Sequence, residues 1–126
     1  MDALVVDDSR TIRIILSQML GSCGIESVAQ AADGAAALAA LDARPSTGLM
    51  LADWNMPGMS GFDLLQRVRA RPEFAQLRIV MVTTEADVAH MQQAVTAGAD
   101  EYITKPFTRD AVVEKLRLLG IALRES

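Results

Sequence analysis

The chain has 126 residues, 51% hydrophobic and 22% charged, which is enough for one domain with a real core and too few for two, so 1–126 is taken as a single domain and disorder is excluded. Twelve Lys and Arg against sixteen Asp and Glu give a formal charge of -4, with the basic residues scattered, so nothing favours binding to nucleic acid or to an anionic membrane. No apolar run is long enough to span a bilayer and Met1-Asp2-Ala3-Leu4 lacks the charged region of a secretory signal, so the cytosol is the expected location. Cys23, the single cysteine, cannot form an internal disulfide and is expected to be a small buried hydrophobe.

From the N-terminus, short apolar runs alternate with longer stretches whose apolar residues recur three and four apart, the mark of strand and helix units. The first strand is expected at 3–6. A helix follows, with Ile12, Ile15, Leu16, Met19 and Leu20 on one stripe, Ser9 or Thr11 as its cap and Gly21 as its stop. The second strand is expected at 27–31, then an alanine-rich helix after Asp33-Gly34 with Leu38 and Leu41 inward. The third strand spans 49–52, and its helix begins near Ser60 or Gly61 with Phe62, Leu65 and Val68 inward and Pro72 just past its end. The fourth strand spans 79–82; the spacing predicts a helix over 86–97 that buries Val88, Met91 and Val95 and ends at Gly98. The fifth strand spans 102–104, and a last helix follows Thr108 with Val112, Val113, Leu116 and Leu119 inward. The tail from Gly120 is expected to be too short for an output domain.

Strands as continuously apolar as Leu4-Val5-Val6 and Ile79-Val80-Met81-Val82 belong in a parallel sheet covered on both faces. Right-handed crossovers make such a repeat a doubly wound α/β sandwich, whose ligands sit beyond the carboxyl ends of its strands. There the sequence places Asp7-Asp8, Asp53, Thr83-Thr84 and Lys105, so polar residues closing four apolar strands should converge on one rim. Singly these residues are ordinary: Asp-Asp before a helix is often only a cap. Together they are not, because two carboxylates about 4 Å apart repel by about 4 kcal/mol at an effective dielectric near 20. Three carboxylates at one point call for a cation, and an all-oxygen donor set without His or Cys suits Mg²⁺ and disfavours zinc. A carboxylate facing Mg²⁺, with an ammonium and a threonine hydroxyl alongside, is equipped to attack a phosphoryl group and become an aspartyl phosphate.

Asp7-Asp8, the run Asp53-Trp54-Asn55-Met56-Pro57, Met81-Val82-Thr83 and Lys105-Pro106-Phe107 resemble the receiver domains of two-component response regulators over nearly the whole chain, and the run from Asp53 to Gly61 is most similar to the single-domain chemotaxis type. The resemblance implies a flagellar-control role and a (βα)5 flavodoxin-like three-layer sandwich with sheet order 2-1-3-4-5. It implies Asp53 as phosphoacceptor, Mg²⁺ held by Asp7, Asp8, Asp53 and the Asn55 main-chain carbonyl, and phosphoryl oxygens held by Thr83 and Lys105. It also implies a switch in which Thr83 and Tyr102 change state, a partner face of the fourth helix, fifth strand and fifth helix that includes Met91, Tyr102, Phe107 and Lys115, and control of phosphoryl lifetime by Asn55 and Glu85. The Lys105-Pro106 bond is expected to be cis. Gly58, Ser60, Val88 and His90 depart from the chemotaxis pattern in the acceptor loop and fourth helix, and bear on which partner is met.

The implied phosphodonor is a sensor histidine kinase of the CheA-like kind; a flagellar motor switch protein or a phosphatase is a further implied partner, and the protein is expected to be a monomer. His90, the only histidine, is expected on the surface and not as a donor. Within the family the alternatives are a phosphorelay intermediate or a phosphate sink for a shared kinase, and a scaffold that never turns over phosphate is the residual one. Outside it, a haloacid-dehalogenase-type phosphatase would need a general acid or base two residues after the nucleophile, where Asn55 cannot take a proton. Nucleotide binding is disfavoured, since Asp7-Asp8-Ser9-Arg10 is not a glycine-rich phosphate loop.

Overall fold

The computed structural model describes residues 1–124. Five strands, β1 (Asp2–Val6), β2 (Ser27–Ala31), β3 (Leu49–Asp53), β4 (Arg78–Thr84) and β5 (Glu101–Lys105), form one parallel sheet in the order β2-β1-β3-β4-β5. Helices α1 (Arg10–Ser22), α2 (Gly34–Ala43), α3 (Gly61–Arg69), α4 (Met91–Thr96) and α5 (Arg109–Leu118) follow them in turn. The expected doubly wound flavodoxin-like sandwich is therefore the fold.

The sheet separates two cores. Alternate residues of the central strands, such as Met50 and Ala52 against Leu49 and Leu51, feed opposite faces, and all five residues of β3 are buried. Leu4, Met50, Ile79 and Met81 pack with Leu41, Leu64, Leu65, Met91 and Ala94 under α2, α3 and α4. Val5, Leu51, Val80 and Ile103 pack with Leu16, Leu20, Val112 and Leu116 under α1 and α5. This is why the strands carry so little polar alternation.

Helix starts follow local chemistry. Ser9, Asp33, Ser60 and Thr108 each accept a hydrogen bond from the backbone N–H three residues on, and the Ser60 N–H in turn donates to the Asp63 carboxylate. The stop of α1 differs from expectation. Gly21 stays helical; Ile25 N–H donates to the Leu20 carbonyl and Gly24 takes the left-handed conformation, φ 96°, that such a terminus needs. Ile15, expected inward, is on the exposed side of α1, and Phe62 and Leu38 are half-buried while Leu64 fills the core instead.

The largest departure concerns the fourth helix. Glu85–His90 form a 3-10 segment and only Met91–Thr96 are α-helical. Thr84 stands at the capping position, yet its hydroxyl donates to Asp87 Oδ2 at 3.0 Å and does not cap. Three residues per turn instead of 3.6 change the phase of the stripe. Met91 and Ala94 are buried, Val88 is half-buried, and Val95 is 53% exposed where burial was expected.

Candidate functional site

The register of the sheet brings the strand ends level. Val6 pairs with Ala52, Asp53 with Val82, and Thr84 with Lys105, so the residues that close β1, β3, β4 and β5 share one rim. Carboxylate oxygens of Asp7, Asp8 and Asp53 all lie within 4.8 Å of one another. Asp7 and Asp53 are buried, whereas Asp8 opens to solvent.

Lys105 reaches across this group. Its Nζ is 3.1 Å from Asp7 Oδ2 and 3.4 Å from Asp53 Oδ1. Asp7 is further held by Ser9, whose N–H donates to Oδ1 at 2.9 Å, and Arg13 donates to the Asp7 carbonyl at 2.7 Å. One ammonium does not neutralise the cluster. Burial, and next the Asp7 charge, push the Asp53 carboxyl above its usual range, while Lys105 and the Asn55 backbone N–H pull the other way without prevailing. For Lys105, burial disfavours the ammonium, but the hydrogen bond to Asp7 and the charges of Asp53 and Asp7 outweigh it and raise its pKa.

These residues fit a hard divalent cation. The donor set is all oxygen, one carboxylate stays open to solvent for entry, and Asp53 is pushed toward protonation by burial and by the Asp7 charge, which a cation would offset. Thr83 is buried beside the acceptor strand, and its hydroxyl reaches only the Thr84 carbonyl, at 3.5 Å, longer than a formed O–H···O bond. It is free to take a better acceptor. The peptide bond Lys105-Pro106 is cis, as expected.

The residues expected to form a switch and partner face are only partly gathered. Tyr102 is half-buried, with the Lys115 ammonium 4.9 Å from its ring centre and 3.1 Å from Glu101 Oε1. Glu85, Tyr102, Phe107 and Lys115 line one groove of about 420 Å³. Met91 is not part of it. At 3% exposure it belongs to the core, as the helical stripe predicted, and so it offers no side chain to a partner. His90 is on the surface as expected, its ring stacked on Trp54 at 6.2 Å.

Sequence inspection missed one member of the rim. Asp87 Oδ2 accepts from Asn55 Nδ2 at 2.8 Å, and the same oxygen accepts from the Thr84 hydroxyl at 3.0 Å. The acid at Asp87 gave no signal, since an acid near a helix start is ordinary.

Comparison with known proteins agrees with this geometry. The family described as the response regulator receiver domain matches residues 3–117. The chemotaxis protein CheY1 of Helicobacter pylori is 44% identical over 119 residues, covering 94% of this chain and 96% of that protein. The chemotaxis protein CheY of Pseudomonas aeruginosa is 40% identical over 116 residues, covering 92% and 93%. Among solved structures, the chemotaxis protein CheY4 of Vibrio cholerae superposes with a TM-score of 0.84 at 32% identity, covering 93% of this chain and 96% of that one. The receiver domain of NtrX from Brucella abortus gives 0.83 at 29% identity, covering 94% and 98%.

Proposed function

This chain belongs to the response regulator receiver family, and from that membership we propose that it is a chemotaxis regulator that takes a phosphoryl group onto Asp53 from a sensor histidine kinase. The observation that carries the proposal is the meeting of three carboxylates from two strand ends with one lysine from a third, Lys105 within 3.4 Å of Asp53. A purely structural rim would not concentrate like charge there.

In the proposed reaction, a carboxylate oxygen of Asp53 attacks phosphorus. An O–P bond forms, the N–P bond of the donor phosphohistidine breaks, and its electron pair returns to the imidazole nitrogen. Asp7, Asp8 and Asp53, with the Asn55 main-chain carbonyl, would hold Mg²⁺, which supplies charge neutralisation for the phosphoryl oxygens. Lys105, already aimed between Asp7 and Asp53, pairs with a phosphoryl oxygen as the new charge arrives. The Thr83 hydroxyl, held by no short bond, turns to another oxygen. Water later cleaves the acyl phosphate, so the chain turns over phosphate without acting on an external substrate.

About two negative charges added at Asp53 shift the population of the groove at Tyr102, Phe107 and Lys115, and that groove meets the downstream partner. Chemotaxis relatives favour a component of the flagellar switch as that partner and a CheA-like kinase as the donor. No helix among the described residues is long and apolar enough to cross a membrane; action as a monomer in the cytoplasm is part of the same proposal.

The test is intact mass after incubation with acetyl phosphate, with and without Mg²⁺, for the wild type and Asp53→Asn. One phosphoryl group is expected on the wild type with Mg²⁺ alone. Uptake by Asp53→Asn, or none by folded wild type from either acetyl phosphate or a phosphorylated histidine kinase, would sink the proposal.

A further inference from the structure

Asp53, itself only 6% exposed, ends β3, and the loop after β3 meets the segment after β4 where Asn55 contacts Asp87. Among the described residues, the Asp87 side chain ties those two segments by hydrogen bonds. Asp87 Oδ2 accepts from Asn55 Nδ2 at 2.8 Å on one side and from the Thr84 hydroxyl at 3.0 Å on the other, across 32 positions of sequence. The Asn55 carboxamide is held by Asp87, while its backbone N–H faces the Asp53 carboxylate and favours the ionised form there. Asp87 is itself kept in place from outside. Its Oδ1 lies 4.0 Å from His90, whose ring rests on Trp54, the residue between the acceptor and Asn55.

We propose that Asp87 is a positioning residue: it fixes the Asn55 carboxamide at the mouth of the acceptor site and so sets how long the acyl phosphate lasts. The inference rests on the proposed phosphorylation of Asp53. It goes beyond it by adding Asp87 to the residues that govern hydrolysis. With the clasp made, Asn55 holds one rotamer and the water path keeps one shape. Without it, the carboxamide swings freely, no longer orients an incoming water, and crosses its path part of the time. Both effects slow hydrolysis. A role through charge alone would act differently, since removing a negative group beside a phosphoryl group favours attack and needs no Asn55.

The experiment loads wild type, Asp87→Ala, Asp87→Asn, Asn55→Ala and the double variant Asp87→Ala with Asn55→Ala using acetyl phosphate and Mg²⁺, removes the donor, and follows decay by intact mass. Asp87→Ala is expected to lengthen the lifetime about three-fold or more, the size of one lost hydrogen bond. Asp87→Asn, which keeps an oxygen acceptor, is expected to stay near wild type, and Asp87→Ala is expected to change nothing once Asn55 is alanine. Independently of phosphorylation, the Asn55 side-chain amide resonances in ¹⁵N-labelled protein should move in Asp87→Ala and return in Asp87→Asn. A lifetime unchanged or shortened in folded Asp87→Ala overturns the inference, as does an equal effect with Asn55 already removed. Failure of the wild type to take up phosphate overturns the proposed function and this inference with it, so the two failures read differently.

Discussion

Lys105 Nζ lies 3.1 Å from Asp7 Oδ2 although 98 positions separate them in the chain, and the same ammonium is 3.4 Å from Asp53 Oδ1. One cation thus serves two buried carboxylates, and the balance of charge at the rim depends on it. Removing that cation leaves both buried carboxylates without compensation.

Lys105→Met is therefore expected to destabilise the fold by about 1 to 3 kcal/mol at neutral pH. The folded pKa of Lys105 is raised above 10.5. A raised base contributes stability that is fully present below its unfolded pKa and lost as pH climbs through the folded value. The gap between wild type and Lys105→Met in urea midpoints should hold from neutral pH up to that range and close above it. A gap that widened in alkali would contradict the pairing.

Asp53→Asn should act in the opposite sense. The Asp53 carboxyl is raised above 3.8 by burial and by Asp7, so its ionised form is the costly one in the fold. Between the usual carboxylate range and the raised value the native state holds more protons than the unfolded chain, and stability falls as pH rises. The neutral amide escapes this cost. Asp53→Asn is expected to be more stable than wild type by about 1 kcal/mol or more at pH 7, with the difference vanishing in acid as Asp53 protonates, measured by chemical denaturation across pH.

Magnesium should relieve the same repulsion. A ligand that binds only the folded state stabilises it by about 1.4 kcal/mol at ten times its dissociation constant, or about 5 °C in Tm for a domain of this size. Wild type should show this rise, and Asp8→Asn, which removes the solvent-facing carboxylate of the cluster, should show less. An equal rise with Ca²⁺ in place of Mg²⁺ would argue for general screening and not for a small, octahedral site.

Gly61 begins α3 against the end of β3. A Cβ there would stand 2.1 Å from the Asp53 carbonyl oxygen and 2.9 Å from Trp54 Cα, both backbone atoms that cannot give way. Gly61→Ala should cost more than about 2 kcal/mol and displace the acceptor loop. Reduced Mg²⁺ affinity in whatever fraction folds, read from the fluorescence of Trp54, the only tryptophan, would accompany it.

Met91 and Val95 test the altered phase of the fourth helix. Met91→Ala removes a side chain that is 3% exposed and should cost about 2 to 5 kcal/mol. Val95→Ala, at a position 53% exposed, should stay within about 0.5 kcal/mol of wild type in thermal unfolding. Equal losses would restore the uniform helix over 86–97.

The sequence by itself determined the five strand and helix units, because apolar runs such as Leu49 to Ala52 and caps such as Ser9 and Thr108 act over a few residues. It also determined which polar residues close the strands, so Asp7, Asp53, Thr83 and Lys105 are legible as one group from the sequence. Only the tertiary structure decided what depends on contacts across the chain. Helix α1 runs past Gly21 to Ser22 and is closed by the bond from the Ile25 N–H to the Leu20 carbonyl. Val95 turned outward because the segment before α4 winds as a tighter 3-10 turn, in which Thr84 donates to Asp87 and does not cap. Asn55 met Asp87, 32 residues away. Periodicity gives the presence of a buried stripe, but its phase follows the surface it packs on, and a hydrogen bond between two loops has no local sequence signal.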